Sequence, residues 1–216
     1  MGIQILNKDV SVISSVMGKL KASIGSIFGT TGWAGGGGGG ASQGPLAGTS
    51  PATVDSSVGS TTWSSLANLF STSLYSITNL PYYLTLPVRS YYIVGQGFGF
   101  SIPTGATING IVVTLEALSI DVQQAGNNAR DYSVKIVKNN TITGTDKSTL
   151  ASLTPNNTFV NRTYGSSTDL WGETWTAADI NNSNFGIAYS AELPTQAKNQ
   201  ITVQVRNLRI TVHYTP

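Results

Sequence analysis

The most persistent pattern in this chain is an alternation of apolar and polar residues that begins near residue 61 and continues to the C-terminus. A period of two residues is typical of a β-strand with one buried face. Apolar runs, for example over residues 82–86, 90–94 and 159–164, are separated by segments rich in Gly, Asn, Ser and Thr. Many short strands at such spacing predict an all-β fold, an antiparallel, jelly-roll-like β-sandwich.

Residues 97–120 give the clearest local prediction. Phe98, Phe100 and Ile102 alternate with Gly or Ser, the segment 103–105 (Pro-Thr-Gly) breaks the run, and a second alternating run follows. Proline cannot donate to a strand ladder and glycine accepts a positive φ, so this segment favours a turn. The residues therefore predict a hairpin of two strands.

The last run of the chain changes phase. Its apolar residues occupy odd positions up to Val205 and even positions from Leu208 onward. One inserted residue shifts every later side chain to the other face of a strand. This predicts a β-bulge at Arg206 and Asn207, and a similar slip near Ala117 and Leu118 predicts that two long bent strands lie side by side.

Two shorter signals complete the fold prediction. Asn139 and Asn140 follow an alternating run that includes Val134 and Ile136, which indicates a turn after a strand. Thr176 precedes a short segment of helix-forming residues and is a candidate N-cap.

Residues 1–33 differ from the rest of the chain because they contain an apolar motif that recurs after eleven residues. Two conformations fit: a helix with one apolar stripe, and β-structure with glycines at its corners. Three roles compete, namely a docking or oligomerising arm, a first element of the core, and a membrane-surface peptide. The residues of the stripe are Ile13, Val16, Met17, Leu20, Ile24, Ile27 and Phe28.

Residues 34–60 are typical of a linker, since they open with consecutive glycines and continue with Ser, Thr, Pro and Ala. Glycine-rich chain loses much entropy when it is ordered. The predicted organisation is therefore an arm over residues 1–33, a linker over residues 34–60 and a sandwich over residues 61–216. A connector with few side chains also leads us to expect a homo-oligomer, with a trimer favoured.

Composition narrows the function. Hydrophobic residues make up 40% of the chain and charged residues only 10%, which suits packing in an assembly or contact with neutral ligands such as sugars. The formal charge of +2 arises within the first 32 residues, so the remainder has no basic surface for nucleic acid. The absence of cysteine excludes thiolate metal sites, no cofactor is indicated, and no apolar run reaches the roughly 18 residues of a membrane span.

One short segment combines carboxylates with aromatic residues. Asp169 and Glu173 alternate with Trp171 and Trp175 in the sequence DLWGETW. Three interpretations stay open: a glycan platform, a pair of catalytic carboxylates, and a packed end of the sandwich. We expect no enzyme, because a catalytic triad would depend on the single histidine, His213, and no nucleophile-elbow motif is present.

Asp121 and Asp131 bracket a polar loop. They lack the alternating acidic spacing of a calcium loop, so no metal site is predicted.

Four segments in this order resemble a β-sandwich module of tailed-bacteriophage virion proteins. They are GFGFSIPTGATINGI, STDLWG, TAADINNSNFGIA and RITVHY, and the resemblance covers about residues 61–216. The resemblance implies a structural, non-enzymatic, often oligomeric particle component that is located in the virion and contacts other capsid or tail proteins. It transfers no functional residue.

The resulting hypothesis is a virion protein that docks through residues 1–33 and displays its sandwich as a capsid decoration, fibre or tail-associated module. The alternative is an adhesion module that binds host-surface glycan.

Overall fold

Two antiparallel sheets enclose a common apolar core in the computed structural model, which describes residues 40–81, 87–121, 128–153, 158–194 and 199–216. Within these residues each sheet has six strands, and every pair of strands is antiparallel. The predicted antiparallel β-sandwich is therefore confirmed. The strands are β1 (Ala41–Leu46), β2 (Thr53–Asp55), β3 (Trp63–Ser64), β4 (Ser76–Leu80), β5 (Val88–Arg89), β6 (Tyr92–Gln96), β7 (Thr107–Asp121), β8 (Arg130–Lys138), β9 (Thr141–Thr143), β10 (Val160–Gly165), β11 (Gly186–Leu193) and β12 (Ile201–Thr215).

The strand order places the two longest strands together. Sheet 1 has the strand order β10-β7-β12-β4-β3, and β1 pairs with the C-terminal half of β12. Sheet 2 has the order β2-β6-β11-β8-β9, and β5 pairs with β11. Strands β7 and β12, of 15 residues each, are neighbours along almost their whole length, as the sequence predicts. They form the centre of sheet 1.

The core lies between the sheets. Ile111, Val113 and Leu115 of β7 belong to the same buried cluster as Ile187 and Tyr189 of β11. Because successive side chains of a strand point to opposite faces, the alternate residues of β7 and β12 form an outer face of sheet 1. That outer face carries the candidate site described below.

The predicted bulge in β12 is confirmed. Arg206 pairs with Glu116 and Arg209 pairs with Thr114, so two residues of β12 oppose one residue of β7. Asn207 accommodates the insertion with a φ of 53°, in a left-handed region that asparagine adopts more readily than most residues.

The predicted slip near Ala117 and Leu118 is wrong. The register runs without interruption from Val205 opposite Ala117 to Ile201 opposite Asp121. Leu118 is buried on the outer face, although it points away from the core cluster. Leu118 is therefore apolar because its side chain is buried on the outer face, and the register does not change there.

The predicted hairpin over residues 97–120 is also wrong, because the chain crosses between sheets there. Strand β6 ends at Gln96 in sheet 2 and β7 begins at Thr107 in sheet 1. Ile102 in the crossing donates its N–H to Asn181 Oδ1 (2.7 Å), and its carbonyl oxygen accepts from Asn181 Nδ2 (2.9 Å). Alternating burial arises in any extended segment with one side on the core, whether or not a ladder forms.

The sandwich begins earlier than predicted. Strand β1 pairs with β12 and β2 pairs with β6, and both fall within residues 34–60, the predicted linker. Backbone pairing does not depend on side chains, so a Gly- and Ser-rich sequence can still add a strand to an existing edge. Residues 1–39, including the predicted arm, and the predicted run over residues 82–86 lie outside the described residues.

The remaining local predictions hold. Asn139 and Asn140 have φ values of 49° and 64° in the turn between β8 and β9. Thr176 caps helix α1 (Ala177–Asn181) with a reciprocal capping box to Asp179. A 3-10 helix, Leu66–Phe70, precedes β4.

Candidate functional site

The aromatic residues predicted as a glycan platform have structural roles. The side chain of Trp171 is 0% exposed, and its indole Nε1 donates to the carbonyl oxygen of Ile111. Trp175 is half-buried, packs edge-to-face on Phe185 at 5.4 Å and donates Nε1 to the carbonyl of Leu170. The faces of Trp171 are therefore closed to any ligand.

The two carboxylates of this segment are also engaged. Asp169 pairs with Lys147 at 2.8 Å and accepts the backbone N–H of Trp171. Burial opposes ionisation, yet these partners lower the pKa of Asp169 below its ordinary value. Glu173 accepts a hydrogen bond from Thr143 Oγ1 at 2.6 Å. The structure brings the four predicted residues into one turn, where they stabilise the turn.

Asp131 is the one acidic side chain in the described residues that lies fully buried between the sheets without an ion pair. Its Oδ1 accepts the hydroxyl of Tyr189 at 3.0 Å, and burial raises its pKa. Burial and the nearby Asp131 carboxylate also raise the pKa of Tyr164. No cluster of three His, Asp or Glu side chains suited to a metal ion occurs in the part of the chain that the structure describes.

The outer face of sheet 1 carries an aromatic pair that spans β7 and β12. Phe159 precedes β10 and Tyr75 precedes β4, and their ring centroids are 6.0 Å apart with a 40° tilt. Both rings are half-buried, and the neighbouring Leu74 is 57% exposed. The guanidinium carbon of Arg206 lies 3.8 Å from the centroid of Phe159, which places the pair on the outer face.

The bulge in β12 positions the charged groups beside this pair. Arg206 Nε donates to Glu116 Oε2 at 2.6 Å, and Asn207 Nδ2 donates to Glu116 Oε1 at 2.9 Å. Burial works against ionisation of Glu116, but these hydrogen bonds and the charge of Arg206 lower its pKa overall. The guanidinium of Arg206 is therefore held by a carboxylate on one edge and a ring on its face, an arrangement with little freedom.

Hydroxyl and amide side chains continue from the aromatic pair along β10 and β7. In one cross-strand row Asn161 of β10 faces Glu116, and in the next row Thr163 faces Thr114. Both Asn161 and Thr163 are exposed. This surface therefore combines aromatic rings, an ion pair and uncharged donors and acceptors on a rigid sheet.

Sequence reasoning missed this site because its residues come from four strands or their flanks. The available signal was the polar phase of the last strand, on which Arg206 and Arg209 fall. Phe159 falls in the predicted strand over residues 159–164, and no periodicity shows that it meets Tyr75. In the described part of the chain no helix is long and apolar enough to cross a membrane.

Comparisons with known proteins give few likenesses. No family model and no curated protein matches this chain. One solved structure titled "CBM4 structure and function" is 14% identical, covers 64% of this chain and 84% of its own, and has a TM-score of 0.35. The N-terminal cellulose-binding domain of Cellulomonas fimi β-1,4-glucanase C is also 14% identical, with 80% and 87% coverage and a TM-score of 0.35. These two likenesses do not assign a function to this chain.

Proposed function

We propose that this protein is a non-enzymatic glycan-binding module and that the outer face of sheet 1 is its binding surface. The half-buried pair of Phe159 and Tyr75 beside rows of Thr and Asn side chains is the observation that carries the proposal. Sugar rings have apolar C–H faces that pack on aromatic rings, and their hydroxyls both donate to and accept from Thr and Asn. A low content of charge over the sandwich suits a ligand rich in hydroxyls.

The test is an array of bacterial surface polysaccharides probed with the full chain, followed by calorimetry on the polysaccharide that binds. We expect Phe159→Ala and Tyr75→Ala to weaken binding about tenfold each, since each removes about 1.4 kcal/mol of ring contact. Tyr132→Ala is the matched control. Tyr132 is also half-buried, and its ring centroid lies 3.9 Å from the guanidinium carbon of Arg89, but the residue belongs to sheet 2. Silence across the array, or an equal loss in the control, overturns the proposal.

A second proposal concerns where the protein works, and it rests on the resemblance of the sequence to phage virion proteins. In this proposal residues 1–33 dock the protein onto the capsid or tail, and the sandwich contacts the host surface. In the structure three of the four segments contact one another, since Asn181 bonds Ile102 and Trp171 bonds Ile111. The two proposals are compatible.

Deletion of residues 1–33 tests the docking role. We expect the truncated protein to be missing from purified particles by mass spectrometry, while its circular dichroism keeps the β-sheet spectrum of the full chain. Normal incorporation of the truncated protein rejects the docking role. Light scattering of the full chain tests the proposed homotrimer, and a monomeric mass rejects it.

A further inference from the structure

Charge is distributed unequally on the outer face of sheet 1. The Asp, Glu, Lys and Arg residues of β10, β7, β12 and β4 on this face are Glu116, Arg206 and Arg209. Arg206 is neutralised by Glu116 at 2.6 Å. Arg209 is in none of the ion pairs of the described residues. The face therefore carries one uncompensated positive charge.

Backbone carbonyls hold the guanidinium of Arg209 in place. Nη1 donates to the carbonyl oxygens of Phe70 at 2.9 Å and of Leu208 at 2.8 Å. Leu208 is fully buried in the core, and Phe70 closes the 3-10 helix. One nitrogen of the group is therefore anchored to rigid backbone, and the orientation of the side chain follows from that anchor.

The other edge of the same guanidinium has no partner among the described residues. Nε and Nη2 donate to no group there, and the Arg209 residue is half-buried rather than enclosed. These two nitrogens share the planar edge with which arginine binds both oxygens of a carboxylate. A preoriented edge of this kind loses less entropy on binding than a free arginine side chain.

The surroundings of Arg209 match a sugar acid. Thr114 lies directly across from Arg209, and Thr163 lies across from Thr114, so two threonines share a cross-strand row with Arg209. The next row along the strands, about 7 Å away, contains Glu116 and Asn161 and borders the ring of Phe159. A carboxylate, ring hydroxyls and an apolar sugar face thus find partners in one contiguous area.

We infer that the ligand of this face is an acidic glycan and that Arg209 binds the carboxylate of a uronic acid unit through Nε and Nη2. This inference rests on the proposed glycan-binding function. The single open charge and the planar geometry of its edge favour a carboxylate as the partner. Thr114 and Thr163 bind the hydroxyls of the same uronic acid unit, and Phe159 packs against the next sugar unit of the chain.

The experiment measures binding of the full chain to polygalacturonate and alginate, to the carboxyl-reduced form of each, and to a sulfated galactan. We expect the wild type to bind at least one uronan about tenfold to a hundredfold more tightly than its carboxyl-reduced form. A hydrogen-bonded pair of opposite charges gives an affinity difference of this size. Arg209→Gln removes this preference, so that the uronan and its reduced form bind the variant with equal affinity. Arg209→Lys restores part of the preference, because a lysine keeps the charge without the planar edge.

Lys135→Gln is the charge-matched control. Lys135 is half-buried, lies on the outer face of sheet 2 opposite Ala188, and forms no ion pair within the described residues. We expect this variant to keep the wild-type preference. Equal binding of uronans and their reduced forms overturns the acidic ligand and leaves glycan binding intact. A preference for the sulfated polymer overturns the uronic acid carboxylate and also leaves glycan binding intact. Absence of binding to these polymers rejects the acidic ligand, and silence across the array as well rejects the glycan-binding function.

Discussion

The indole N–H of Trp171 donates to the carbonyl oxygen of Ile111 at 2.9 Å, and this bond ties a surface turn to the central strand of sheet 1. Trp171 has a φ of 59°, so the backbone of the turn adopts a left-handed conformation that directs the indole into the core. A residue whose neighbours suggest a sugar platform is, among the described residues, the largest side chain that is fully buried.

Replacing this tryptophan tests its structural role. We expect Trp171→Ala to lower the free energy of unfolding by about 3–5 kcal/mol, through the lost buried surface and the cavity that remains. Trp175→Ala should lower the free energy of unfolding by clearly less, since Trp175 is half-buried. Urea denaturation monitored by circular dichroism measures both. Equal losses for the two variants contradict the assignment.

The bulge at Asn207 makes a prediction about backbone conformation. Asn207→Val should destabilise the fold by about 1–3 kcal/mol, because a β-branched residue strains at the observed φ of 53°. Asn207→Gly should cost less, since glycine accepts this conformation and loses only the hydrogen bond to Glu116. Thermal unfolding ranks the two variants. A valine variant as stable as the glycine variant would show that the bulge relaxes.

The crossing between the sheets depends on Asn181. We expect Asn181→Ala to accelerate hydrogen exchange of the Ile102 amide about tenfold or more, since the side chain satisfies both backbone groups of Ile102. Asn182→Ala is the control, because Asn182 is exposed and its side chain bonds Asn139 Oδ1 (3.4 Å) and the N–H of Asn184 (2.9 Å), neither of which belongs to the crossing. NMR exchange at residue 102 measures the effect, and an unchanged rate in Asn181→Ala refutes it.

Buried Asp131 should make stability depend on pH in a defined direction. Its folded pKa is raised, mainly by burial, although the Tyr189 hydroxyl and the charge of Arg162 counteract this. Ionisation therefore disfavours the folded state, and the cost appears as the pH rises through the raised pKa. We expect Asp131→Asn to gain stability relative to wild type between about pH 4, the ordinary pKa region of aspartate, and neutral pH.

Asp146 provides the opposite case. Burial opposes its ionisation, but hydrogen bonds from Ser133, Val134 and Ser148 lower its pKa overall. Its contribution is present above the ordinary pKa and disappears as the pH falls through the lowered value. Asp146→Asn should therefore lose stability at neutral pH, and the loss should shrink on acidification. Denaturation midpoints measured across this pH range test both Asp131→Asn and Asp146→Asn. If the midpoints of the two variants change with pH in parallel, the prediction is wrong.

Several elements of the fold were predictable from local pattern. The phase change between Val205 and Leu208 located the bulge, because the side-chain period of a strand is two whatever its partners are. The cap at Thr176 followed from the chemistry of one side chain and the N–H groups of the next turn. These features depend on residues that are close together in the chain.

Other predictions failed where one sequence pattern is compatible with two different structures. The alternation of Phe98, Phe100 and Ile102 shows one-sided burial, and a crossing segment and a strand produce it equally well. Strands β1 and β2 were missed because their pairing uses backbone groups, and their side chains carry no periodic signal.

By itself, the sequence determined that this chain forms an antiparallel sandwich with a bulged terminal strand, since periodicity and turn chemistry act over a few residues. Only the tertiary structure decided which aromatic residues meet. Sheet order brings Tyr75 and Phe159 together across β7 and β12, and it sets Arg209 beside Thr114. Contacts between strands far apart in the chain are fixed by packing of the whole core, and local pattern contains no record of them.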